Sequence, residues 1–98
     1  MKIDVDSQAA QHFIQEMDLK PGSYVRFFTK YGGHSTIQTS YSLGISFDEP
    51  SRAAAKTEVA GITFYVEQTD LWYFDGHDLK VRFNEKSQEI EYEYPASE

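Results

Sequence analysis

The stretch Gly22–Phe47, GSYVRFFTKYGGHSTIQTSYSLGISF, does most to limit what this chain can fold into. In its first half, Val25, Phe27, Thr29 and Tyr31 fall on one face of an extended chain. Tyr24, Arg26, Phe28 and Lys30 fall on the other. In its second half, Ile37, Thr39, Tyr41, Leu43, Ile45 and Phe47 share a face, separated by Gln38, Ser40, Ser42, Gly44 and Ser46. Alternation of period two over so many positions specifies a long antiparallel hairpin with one buried face. Gly32-Gly33 is expected to supply the positive φ of the connection, which the polar run His34-Ser35-Thr36 completes.

The flanking segments read as smaller pieces of the same design. Ile3 and Val5 alternate with Lys2 and Asp4, which suits a short edge strand. Asp6 or Ser7 then caps a helix whose apolar stripe is Ala10, Phe13, Ile14 and Met17. Pro21-Gly22 ends it, because proline disfavours helix in Lys20 and Pro-Gly favours a turn. Ser51–Ala55 lacks any hydrophobic spacing and reads as an exposed loop or a single helical turn. Thr57–Val66 reads as two strands around Ala60-Gly61, with Ile62, Phe64 and Val66 facing the core. A short helix follows from Gln68 or Thr69, where Leu71, Trp72 and Phe74 cannot all be solvated. Two more one-sided strands carry Leu79, Val81, Phe83 and then Ile90, Tyr92, Tyr94. The last has Glu89, Glu91 and Glu93 on its outer face, as on a solvated edge. The order β-α-β-β-β-β-α-β-β makes the class α+β and sheet-dominated. Ile45 and Phe64 are expected in the core, against Phe13 and Met17.

At 98 residues and 15% aromatic content, residues 1–98 make one domain whose core rests on its rings. There is no cysteine, hence no disulfide, no thiolate nucleophile and no iron–sulfur cluster held by protein thiolates. A net charge of −7 opposes nucleic-acid binding, which requires a basic patch. No stretch of apolar residues suits a membrane span, and no basic start precedes an apolar run, so the expectation is a cytoplasmic protein without membrane partners.

Candidate chemistry is sparse. His34, just beyond the double glycine, can ligate a metal or titrate near neutral pH, although turn histidines are common. His77 stands between Asp75 and Asp78, which resembles part of a metal shell but lacks the spacing of an EF-hand or a zincin, and a polar turn between helix and strand accounts for it more simply. His12 reads as an ordinary helix residue beside Phe13. A triad of Ser35, His34 and Asp75 has neither placement nor a nucleophile elbow, and Gly32-Gly33 lacks the lysine of a phosphate loop. The outer row Tyr24, Arg26, Phe28 and Lys30 could stack bases, but the acidity of the chain argues for packing instead.

The residues do match a family in their order. A capped helix, then Tyr24-Val25-Arg26-Phe27, Lys30-x-Gly32-Gly33 and a long alternating strand resemble the HesB-like domain of A-type iron–sulfur carriers. Val59-x-Gly61-Ile62-x-Phe64 and Tyr73-Phe74-x-Gly76-x-x-Leu79-x-Val81 are similar to it too, over residues 2–84. Among its members the cysteine-free, YneR-like branch is most similar. The resemblance implies a compact β-sandwich or distorted barrel with short flanking helices, and a link to iron–sulfur cluster biosynthesis. It implies three cysteine ligands, one after the hairpin glycine and two near the C-terminus. His34 stands at the first place and Tyr92-Glu93-Tyr94 near the second.

The resemblance thus predicts a non-enzymatic accessory protein with two possible uses. One is a mononuclear iron or zinc site from His34, His77, Asp75 and Asp78, or with Glu93. The other is a protein-interaction module, for a partner or as a homodimer, with no metal role.

Overall fold

The computed structural model describes residues 1–97, and its topology follows the alternation read above. The elements are β1 (Ile3–Val5), α1 (Ser7–Met17), β2 (Tyr24–His34), β3 (Thr39–Ser46), β4 (Ala53–Val59), β5 (Ile62–Glu67), the 3₁₀ helix η1 (Gln68–Phe74), β6 (Leu79–Asn84) and β7 (Glu89–Glu93). They form two sheets, of order β1-β6-β7 and β3-β2-β5-β4, rather than a closed barrel. Two pairings are parallel, β1 with β6 and β2 with β5, so each sheet is mixed.

The core lies between the sheets. Val25 and Phe27 from β2, Ile62, Phe64 and Val66 from β5, and Leu79 and Val81 from β6 are all essentially inaccessible. Phe27 stacks on Phe64 with centroids 6.0 Å apart and meets Tyr92 of the other sheet edge-on at 5.9 Å. Helix α1 closes one side through Ala9, Ala10 and Phe13, the last 5.7 Å from Phe64. Its start is capped by Asp6, which accepts from the Gln8 amide at 3.0 Å, and its end by Asp18 in the left-handed region.

Three expectations need correcting. Ile45 is only half-buried, and Met17 at the helix end is exposed, so the stripe runs through Ala9 instead. Residues Ala53–Ala55 are not a loop or helical turn but the start of strand β4. Their side chains carry no signal because it is the backbone that pairs, Ala53 with Glu67 and Ala55 with Val66. The Glu67 carboxylate also accepts from the Ser51 and Arg52 amides at 3.1–3.2 Å, which pins the preceding segment down. Finally, Gly32-Gly33 does not make the hairpin turn. Both have positive φ, but they form a bulge within β2, which runs on to pair His34 with Thr39. The chain reverses over Ser35–Gln38, closed by the Ser35 amide donating to the Gln38 carbonyl at 2.8 Å.

Candidate functional site

The longer hairpin carries its tip beyond the core, and the side chains there are aromatic. Tyr31 lies on the same face as buried Phe27 but four residues further on, about 13 Å along the strand. It is 83% exposed, contrary to the buried face assigned to it from alternation alone. Tyr31 meets Tyr41 edge-on at 5.7 Å, and Tyr41 meets Trp72 at 5.2 Å. Trp72 is 52% exposed and Leu71 is also exposed, while Tyr73 and Phe74 of the same helix are buried. The sequence rule that the apolar residues of η1 could not all be solvated is met by Phe74 alone.

Two sets of polar bonds hold this tip. Arg26 and Asp70 pair at 2.8 Å, and the other Asp70 oxygen accepts from the Thr29 amide at 3.2 Å. The Arg26–Asp70 hydrogen bond, with the charge of Asp70 and smaller attractions from Glu67 and Tyr65, holds the Arg26 guanidinium above its ordinary pKa against the opposing effect of burial. On the far side, Gln38 donates to the Tyr73 carbonyl at 3.1 Å, and the Tyr73 and Tyr94 hydroxyls lie 3.0 Å apart. Tyr94 is raised well above the ordinary phenol range, first by burial and then by its bond to Tyr73, with Ser35 pulling the other way. The turn, η1 and the C-terminal segment therefore meet at one place. Replacing Asp70 by Asn should cost about 1–3 kcal/mol, because the half-buried Arg26 loses its charged partner. A denaturant midpoint within error of the parent would show that the pair is only decoration.

The residues singled out for metal chemistry are placed as follows. His34 is exposed at the end of β2, opposite Thr39. The His77 Nδ1 atom lies 3.0 Å from the Phe74 carbonyl and 3.1 Å from that of Asp75, so the ring is engaged by its own turn. Asp75 is exposed in the left-handed region after η1, and Asp78 accepts from the Lys2 amide at 2.8 Å. Glu93 is exposed and stands 3.6 Å from Arg82. Among the described residues, no three His, Asp or Glu side chains are grouped as metal ligands. His12 stacks on Phe83 at 4.7 Å, beside a polar groove along α1.

Residues 1–95 match the family described as iron-sulphur cluster biosynthesis, which is nearly the whole chain. The chain belongs to that family. A Bacillus subtilis relative named pyruvate dehydrogenase inhibitor is 44% identical over 94 residues, covering 96% of this chain and 99% of the relative. An uncharacterised Staphylococcus saprophyticus protein is 30% identical over 95 residues, covering 94% and 97%. One from Staphylococcus aureus strain USA300 is 25% identical over 95 residues, covering 94% and 97%. The family's name points to iron–sulfur clusters, and the donor set here does not fit one. With no cysteine, the tip offers imidazole, phenol and carboxylate, and none of these replaces soft thiolate sulfur. Where the resemblance sets the C-terminal ligands, Tyr92 and Tyr94 instead pack against Phe27, Tyr73 and Phe74.

Proposed function

We propose that this member of the iron–sulphur cluster biosynthesis family is a non-catalytic binding protein that inhibits pyruvate dehydrogenase. The observation that carries the reading is the 44% identity, over essentially both full lengths, to the relative bearing that name. The donor chemistry supports it, since a chain without thiolates is better suited to protein contacts than to cluster transfer. The exposed Tyr31 and Trp72, with half-buried Tyr41 between them, support it as well, because tyrosine and tryptophan supply much of the energy of protein interfaces.

The test is an assay of pyruvate oxidation by purified pyruvate dehydrogenase with increasing amounts of the chain. Inhibition that saturates near stoichiometric amounts, with no change in the chain itself, is the expected result. Full activity in the presence of a large excess of chain would overturn the reading.

A further inference from the structure

Each sheet has two edges, and the molecule treats one of the four differently. Strand β7 presents Glu89, Glu91 and Glu93, and β4 carries Lys56 and Glu58. Strand β1 is three residues long, with Asp4 at its centre. Charge and shortness are the ordinary means of stopping an edge from pairing with another chain. Strand β3, TSYSLGIS, has no charged residue and no proline. Its backbone bonds run to β2, and among the described residues no other segment hydrogen-bonds to its backbone. Positive φ at Ser40 disturbs its start, leaving Tyr41–Ser46 as a regular edge about 20 Å long.

The face of this edge is also prepared. Tyr41 lies on β3 itself, and Tyr31 and Trp72 flank it on the same side. Past the other end stands Phe47, half exposed. On the opposite face Phe28 lies over Gly44, so close that a Cβ there would sit 2.6 Å from the ring. Ring and glycine thus keep that face of the strand flat.

We infer that β3 is a strand-addition edge, on which an extended, non-acidic segment of pyruvate dehydrogenase pairs with Tyr41–Ser46 and sets a side chain against Tyr31, Tyr41 and Trp72. The inference rests on the binding proposed above and names the surface that does it. In this mode main-chain bonds supply affinity and alternate side chains supply specificity. The charge of −7 disfavours an acidic segment and steers a basic one inward. It also disfavours a second copy of this chain.

Amide hydrogen exchange of the intact chain, alone and mixed with pyruvate dehydrogenase, tests this directly. Slowed exchange in the peptide spanning Tyr41–Ser46 is expected, with a blue shift of fluorescence from Trp72, the chain's one tryptophan. Trp72→Ala should weaken inhibition by about tenfold or more while the far-ultraviolet circular dichroism still reports a folded chain. Inhibition with protection confined to α1 or β7 overturns the inference and leaves the inhibitor reading standing. Protection of β3 in the chain alone, with a doubled mass by light scattering, assigns the edge to a second copy and also overturns it. No binding to pyruvate dehydrogenase overturns both.

Discussion

Phe64→Ala should lower the unfolding free energy by about 3–5 kcal/mol, the usual result of emptying a large aromatic site. Phe64 is fully buried where three elements meet, against Phe13 of α1 and Phe27 of β2, and in register with Val25 and Thr57 on its two neighbouring strands. No single neighbour can move into the space without abandoning another. Domains of this size are stable by roughly 5–15 kcal/mol, so the variant should sit near the limit of folding. Chemical denaturation read by circular dichroism measures the loss. Met17→Ala, at the exposed end of the helix, serves as the contrast and should cost less than about 1 kcal/mol. Equal losses at the two sites would place the core somewhere other than between the sheets.

The second large effect is alkaline. Burial, reinforced by the neighbouring Tyr73, pushes the Tyr92 phenol up to about 12. Burial also raises Tyr65 and Tyr94. Below about pH 10 the phenols are protonated in both states, and their contribution to stability is fully present. Above it the unfolded chain loses a proton that native Tyr92 keeps, so unfolding is favoured as pH rises. The loss is about 1.4 kcal/mol per pH unit, or roughly 2–3 kcal/mol by pH 12 from Tyr92 alone. Tyr94 and Tyr65 add to it in the same direction. Unfolding free energies measured from pH 9 to 12, for the parent and Tyr92→Phe, should show a shallower decline in the variant. Parallel declines would mean that Tyr92 titrates as freely in the fold as out of it.

The fold was legible where side-chain alternation and burial coincide. The faces of β2 and β5, the Ala60-Gly61 reversal and the glutamate edge of β7 all follow from period two and turn chemistry. The first half of strand β4 was not legible, because Ala53–Ala55 form a strand through backbone pairing that alanine side chains do not announce. The true turn was hidden for a related reason. A double glycine signals positive φ, and a bulge needs positive φ as much as a turn does. Tyr31 and Trp72 show the limit of reading exposure from pattern. Alternation gives the face on which Tyr31 lies but not where the core beneath it stops, and that is set by strand length against the opposite sheet. The bare edge of β3 needed the topology, since nothing in a sequence says which strand is outermost. The family was legible from order and glycine placement, and the loss of its thiolates from composition alone.

The central proposal is that this chain binds pyruvate dehydrogenase and needs no metal to do so. Calorimetric titration of chelator-treated chain into metal-free-buffered pyruvate dehydrogenase measures this most directly. The expected result is saturable binding that adding iron(II) or zinc to the chain leaves unchanged. Binding that is absent from the stripped chain and restored only by iron or zinc would contradict it, and would return His34, Asp75, His77 and Asp78 to the centre of the mechanism.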